Sequence, residues 1–298
     1  MSKSQNIVIA CGVESMTNVP MGLPITLPYK NGFGKPFTDD VLSRYKVKDF
    51  SQFVGAEMMA KKFDISREEM DEYSLTSHQF AIDATNRGAF KQEILPLSTQ
   101  VYNPKTKELT LYDTIHSTDE GIRFDVTLDA LSNVKPIQED GLITAASASQ
   151  ICDGASAMMI VNEEGLKSLP SDVKPIARIH HMSMFASDPV IMLDAPLEGT
   201  MRALKKCNMS IDDIDLFEIN EAFASVPLAW LKYTGADRNK LNIHGGAIAL
   251  GHPLGASGTQ IMTTLVHALQ QKQKKWGLQS MCEGGGMANV TIIENLLL

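Results

Sequence analysis

The sequence is short of several things, and each shortage closes off a class of protein. Only four cysteines occur in 298 residues, Cys11, Cys152, Cys207 and Cys282, with no C-x-x-C pair and no zinc-like spacing. A disulfide framework and a structural zinc site are therefore not expected, and reduced thiols of a cytosolic or organellar enzyme are the default reading. No apolar run reaches the ~20 residues that span a bilayer. The segment Met1 to Val8 has no secretory apolar region, so no membrane partner is expected. Positive charge is in deficit, with 27 Lys and Arg against 35 Asp and Glu and a net charge of −8. A nucleic acid is accordingly not an expected partner. That deficit does not exclude a small anionic ligand, which a few local basic groups can hold. Short-period repeats and low-complexity tracts are missing too.

What remains is a globular chain. Its 44% hydrophobic and 21% charged residues allow a real core, and its length suffices for two compact units. Ile7–Ala10 reads as a buried strand, followed by loop chemistry from Gly12 through the Pro- and Gly-rich stretch to Pro36. Ser66 with Glu69 three residues later forms a capping-box signature. Met70, Tyr73, Phe80 and Ala84 continue it at helical spacing until Gly88. Pro96–Asp125 alternates polar and β-prone residues, with Pro104-Lys105-Thr106-Lys107 at a hairpin tip. Ala157–Val161 reads as a second buried strand and Ser168–Lys174 as a connector. Strands at 176–181, 214–219, 277–282 and 290–294 then alternate with helices at 196–206, 221–233 (bent by Pro227) and 261–271. This alternation implies an α/β layered unit with a covered sheet.

Three clusters carry chemistry. Asn220, where a strand gives way to a helix, reads either as an N-cap or as an amide holding a water or substrate oxygen. His252 lies between Gly251 and Pro253, in a run from His244 to Gly258 dense in glycine. That run is neither a Walker loop nor a G-x-G-x-x-G loop, and a histidine so fixed is a general-base candidate. Cys282 ends a strand and is followed by Gly284, Gly285 and Gly286, whose N–H groups could stabilise an oxyanion. Alone, such a cysteine reads as buried and inert. Taken together, the clusters suggest one rim of one sheet and a Cys-plus-His constellation for acyl or proton transfer. His180 and His181 are adjacent on a strand, point to opposite faces and make a poor ligand pair, and no metal site is expected.

The order Asn220-Glu221-Ala222-Phe223, then Gly245-Gly246-Ala247-Ile248-Ala249-Leu250-Gly251-His252-Pro253, then Cys282 with Gly284-Gly285-Gly286 resembles the thiolase family. Gly12-Val13-Glu14-Ser15-Met16 and Ile143–Gln150 with Asp153-Gly154-Ala155 agree, so the resemblance runs from about Ile7 to Glu294. It implies a thiolase-like layered α/β fold. Its C-terminal half would be complete (171–298), its N-terminal half partial (1–20 and 148–170), with an inserted loop and coenzyme A-binding lobe (21–147). It implies an acyl-CoA C-acyltransferase that acylates a cysteine and then performs Claisen condensation or its reverse, thiolysis of a 3-oxoacyl-CoA. Coenzyme A thioesters would be substrates, with no permanent cofactor. In that family's terms His252 would activate the nucleophilic thiol and bind the thioester oxygen of the second substrate. Asn220 would hold the water sharing that oxyanion site. Cys282 would move the α-proton of acetyl-CoA, and the Gly284 N–H would face the acyl-enzyme oxygen. Ser149 would lie against the pantetheine arm and Arg123 near the nucleotide end. A homodimer or homotetramer is implied, cytoplasmic in a bacterium and mitochondrial or peroxisomal in a eukaryote.

The chain also departs from the family pattern. The motif carrying the family's acyl-accepting cysteine, which precedes the Gly-Val-Glu-Ser-Met region, is absent. Cys11 aligns with a glycine, and Cys152 and Cys207 match no catalytic position. The expectation is a chain without that N-terminal part, incomplete or inactive alone, whose strands at 7–10 and 157–161 lack their central neighbours. The alternative is a non-catalytic coenzyme A-binding or complementing subunit. Phe53, in the loop Ser51–Met58, replaces a usually small residue, and Lys135–Gln138 lacks an aromatic that several relatives place against the coenzyme.

Overall fold

A computed structural model gives the fold and describes residues 5–103 and 105–298. Pro104 of the expected hairpin tip, and residues 1–4 of the first expected unit, lie outside the described residues. The first half of the chain forms β1 (Ile7–Ser15), α1 (Leu23–Lys30), α2 (Asp39–Tyr45), α3 (Gln52–Lys62), α4 (Arg67–Asn86), the hairpin β2 (Leu97–Asn103) and β3 (Glu108–His116), and α5 (Leu128–Ser132). There follow β4 (Asp153–Val161), α6 (Glu163–Lys167), β5 (Ala177–Ala186), α7 (Ala195–Lys206), β6 (Leu216–Ile219) and α8 (Ser225–Thr234). The chain ends with α9 (Ala247–Leu250), α10 (Ser257–Lys272), β7 (Trp276–Glu283) and β8 (Met287–Asn295). Among the described residues no helix is long and apolar enough to cross a membrane.

Strand periodicity explains the layers. In the sheet β5-β8-β7-β6, only the β6–β7 pair is parallel. Successive side chains leave opposite faces. Leu216 and Ile293 therefore pack with Leu265, Val266 and Leu269 of α10, while Phe217, Leu278 and Ile292 pack with Leu197 and Leu204 of α7 and Trp230 of α8. On its other side α10 meets β1 and β4. The helix α10 thus lies between two sheets, with α7 covering the far face of the larger one.

Several sequence expectations are corrected here. The strand expected at 7–10 runs on to Ser15, through residues read as loop. It is not buried: Ile9 is 68% and Val13 74% exposed. Its inner face packs on the turn before α10, and its outer face is open. The strands at 7–10 and 157–161 pair with each other and, among the described residues, with no further strand, in line with the expected lack of central neighbours. Ile7 pairs with Val161 and Ser15 with Asp153 in an antiparallel ribbon, which satisfies their shared edge. The loop read up to Pro36 contains α1, where Pro24 sits in the first turn and only Pro28 interrupts the helix. The loop Ser51–Met58 is the start of α3, driven by burial of Gly55, Ala56, Met59 and Ala60.

The helix expected from Glu221 begins at Ser225. Residues 222–224 are held instead against 147–149: the Ser149 N–H donates to the Ala222 carbonyl (3.0 Å) and the Ala224 N–H to that of Ser147 (2.8 Å). Asn220 is therefore not an N-cap. Pro227 falls in the first turn of α8, where its missing N–H costs nothing, and it does not bend the helix. The capping box of α4 forms as expected, with Ser66 Oγ accepting from the Glu69 N–H and the Glu69 carboxylate from the Ser66 N–H.

Candidate active site

The parallel pairing of β6 and β7 sets Ile219 opposite Ser280. Their C-terminal ends leave one rim of the sheet, so Asn220 and Cys282 share it. The Asn220 N–H donates to the Ser280 carbonyl at 3.0 Å, which extends the ladder one residue further. His252 reaches the same rim from the glycine-rich segment. Its backbone N–H donates to the Gln150 carbonyl at 3.1 Å. Gly251 before it has φ 90°, and a Cβ there would strike Cys152 Sγ, so only glycine makes this turn. The Gln150 side chain donates to the carbonyls of Gly121 (2.8 Å) and Ile248 (2.7 Å), joining Gly121 to the His252 segment.

The hydrogen bonds of His252 assign its tautomer. Ser257 Oγ donates its single hydrogen to the Pro253 carbonyl at 2.9 Å. It therefore accepts from His252 Nδ1–H, 2.5 Å away. The Nε2 lone pair is left facing Asn220 Nδ2 at 3.3 Å. Burial lowers the His252 pKa to about 4, so the ring is neutral near pH 7 and its free lone pair can take a proton. Asn220 is 2% exposed, and its Oδ1 has no hydrogen-bond partner among the described residues. Burial pushes the Cys282 thiol up to about 12, and its side chain packs against the main core. The sulfur is desolvated and protonated rather than a free thiolate at the surface.

Gly284 lies exposed in the β7–β8 turn, with open space where a Cβ would stand. Gly285 and Gly286 take the positive φ of that turn, 82° and 78°. Ser149 is half-buried beside Ala222. Arg123 stands apart with an exposed side chain; its backbone N–H donates to His78 Nδ1 at 3.3 Å. A cavity of about 280 Å³ at the end of α4, lined by Thr85, Phe90, Ile94 and Asp119 among others, contains none of the six candidate residues. That cavity has neither a histidine nor a cysteine in its lining.

Sequence reasoning gave no role to Ser257, Gln150 or Glu221. Glu221 carried a signal: an acid directly after the apolar strand Leu216–Ile219 must find buried donors.

A layered α/β chain with a neutral histidine, a buried amide and a desolvated cysteine assembled at one rim is built for Cys–His group transfer. The chain belongs to the thiolase family. The thiolase N-terminal domain matches residues 1–164 and the C-terminal domain residues 173–295. The chain is similar to the steroid 3-ketoacyl-CoA thiolase FadA6 of Mycobacterium tuberculosis, 45% identical over 298 residues that cover 99% of this chain and 70% of that protein. The 3-ketoacyl-CoA thiolase of Bacillus subtilis is 35% identical, covering 99% and 73%. Among solved structures, human mitochondrial 3-ketoacyl-CoA thiolase in complex with CoA superposes with TM-score 0.79 at 35% identity, covering 97% of this chain and 71% of that one. The Bacillus anthracis acetyl-CoA acetyltransferase gives TM-score 0.82 at 32% identity, covering 98% and 72%. The fold and enzyme class expected from the motifs are both correct: the chain is a thiolase, an acyltransferase of coenzyme A thioesters.

Proposed function

We propose that Asn220, His252 and Cys282 form the proton-transfer and oxyanion half of a thiolase site working on 3-ketoacyl-CoA in the direction of thiolysis. The contact between Asn220 Nδ2 and His252 Nε2, with Asn220 Oδ1 unpartnered beside it, carries this reading. Neutral His252 accepts the proton of the acylating thiol. The imidazolium so formed donates from Nε2 to the oxygen of the leaving acetyl-CoA enolate. Asn220 Oδ1 holds a water that donates to the same oxygen. Cleavage of the Cα–Cβ bond leaves its electron pair on the α-carbon, and Cys282 delivers its S–H proton there. A thiol held protonated by burial suits that step. Condensation runs the same transfers backwards, with a Cys282 thiolate removing the α-proton.

In this reading the Gly284 N–H faces the acyl oxygen, Ser149 lines the pantetheine arm and Arg123 the nucleotide end. The acyl-accepting thiol is none of Cys11, Cys152 or Cys207. Exposed apolar residues on β1 and on the β2–β3 hairpin, among them Leu111 at 67%, support assembly into a homo-oligomer. Four free cysteines suit a reducing compartment: bacterial cytoplasm, or a mitochondrion or peroxisome.

The test is exchange of the α-protons of acetyl-CoA for deuterium, which needs the base and the oxyanion donors but no acylated cysteine. Exchange should disappear in Cys282→Ala, fall by ~10²-fold in His252→Ala, and persist in Cys11→Ser. Retention of exchange in Cys282→Ala would sink the assignment. Thiolysis of acetoacetyl-CoA by the chain alone should be undetectable; robust His252-dependent turnover would show that the acyl-accepting thiol is among its own cysteines. The second reading, a coenzyme A-binding or complementing subunit, is favoured by the open apolar face of β1. It predicts binding of acetyl-CoA with no exchange.

A further inference from the structure

We infer that Glu221 is the positioning residue that keeps Asn220 and His252 in register, by clamping the segment ahead of His252 to the end of β6 and to α4. The inference rests on the proposed role of that pair and adds the side chain that holds it.

Glu221 is 1% exposed, and its carboxylate is met by four donors from three parts of the chain. Tyr73 Oη (2.9 Å) and Ser77 Oγ (2.7 Å) come from α4. Asn242 Nδ2 (3.0 Å) comes from the segment between α8 and α9, and the Ile248 N–H (3.1 Å) from α9. No cation forms an ion pair with it among the described residues, so these hydrogen bonds alone offset the cost of its burial.

Each donor fixes a different part of the frame. Asn242 is tied to β6 on both sides, its Oδ1 accepting from the Ile219 N–H and its Nδ2 donating to the Ile219 carbonyl, both at 2.9 Å. Ser77 Oγ also accepts from the Gly246 N–H at 3.1 Å. Gly246 precedes α9 and offers no side chain to cap it. The Glu221 carboxylate does so from outside, and it fills the space where a Cβ on Gly246 would stand. Asn220 is the next residue back from Glu221, and His252 lies four residues beyond Ile248. A movement of the carboxylate would therefore shift both members of the Asn220–His252 contact in different directions. That contact, at 3.3 Å, has little length to lose before it ceases to be a hydrogen bond.

Glu221→Gln tests this with almost no change in volume. The amide oxygen can still accept from Tyr73 and Asn242, but an NH₂ then opposes the Ile248 N–H. With a cooperative melt retained, the ¹⁵N signal of His252 Nε2 should move as its contact with Asn220 is lost, while Nδ1 keeps its proton on Ser257. The acetyl-CoA exchange kcat should fall by ~10-fold or more while KM stays within about two-fold. Unaltered His252 signals in a folded Glu221→Gln protein would overturn the inference. Tyr73→Phe covers the case in which that variant does not fold, since it removes one donor and buries no new polar group. It should move the His252 signals the same way by less, and no movement would likewise overturn the role. The ¹⁵N readout needs no substrate. A wild-type protein that exchanges no protons, yet whose His252 signals respond to Glu221→Gln, would refute the proton-transfer reading and leave the positioning role standing.

Discussion

At His252 the surroundings set the charge and a single hydroxyl sets the tautomer. Burial holds the pKa near 4, so the ring stays a neutral base throughout the physiological range. An exchange rate that depends on it should show no histidine limb between about pH 5 and 8, and an inflection near pH 6.5 would contradict the buried setting. Ser257 supplies the second condition. Ser257→Ala leaves Nδ1 without its acceptor and frees the ring to carry its proton on Nε2, where it no longer acts as a base. Acetyl-CoA exchange, in which Cys282 is the base, should be retained, while the ¹⁵N signals of His252 move from an Nδ1–H to an Nε2–H tautomer with the fold intact by circular dichroism. The histidine itself was legible in the glycine-rich motif. Ser257 was present in the same motif but gained its role only when the first turn of α10 folded it back under the ring.

Among the elements, the placement of β1 shows how little space a strand–helix junction leaves. A Cβ on Gly12 would collide with the Gly255 carbonyl. Around it the ribbon is fastened to the turn before α10: Ser156 Oγ donates to the Ala256 carbonyl at 2.6 Å, and the Gly255 N–H donates to the Glu14 carboxylate at 3.0 Å. Gly12→Ala must push the ribbon off this turn. The expected cost is about 1–3 kcal/mol, the usual range for overpacking, read as a lower melting temperature. An unchanged midpoint would mean that the ribbon is not docked as described. Local signals such as the capping box of α4 could be read directly because they involve neighbours three residues apart. The start of α8 could not, because residues 147–149, far back in the chain, hold 222–224 out of the helix.

For the whole molecule, buried titratable groups divide into two sets that oppose each other. His78, His244 and His252 all have pKa values lowered by burial from 6.5 to about 4. The unfolded chain binds their protons first as pH falls, so stability is complete above 6.5 and is lost towards 4. Burial raises Glu93 from 4.5 to about 8 and moves Glu218 upwards as well. Here the folded state keeps the proton, so stability falls as pH rises from 4.5 through 8. Burial lowers His181 and His267 as well and raises Asp71 and Asp119, so below 6.5 five histidines outweigh four carboxyls; above it only the carboxyls act. Carboxylates at the surface add little through solvent screening. The melting temperature should therefore peak near pH 6.5 and decline on both sides, as calorimetry across about pH 5 to 8 would show. A steady rise over that range would contradict the buried state of Glu93 and Glu218.

The sequence by itself determined the family, the residue types at the rim and the elements with strong local signals. A motif keeps its order along the chain however it folds, and capping and periodicity act over a few residues. Only the tertiary structure decided which residues meet. Tyr73 and Glu221 are 148 positions apart, and no local preference brings them together. The exposure of β1, the release of Asn220 from a capping role and the tautomer of His252 all follow from such distant contacts. Their free energy comes from burial and hydrogen-bond satisfaction in the assembled layers rather than from any short stretch of chain.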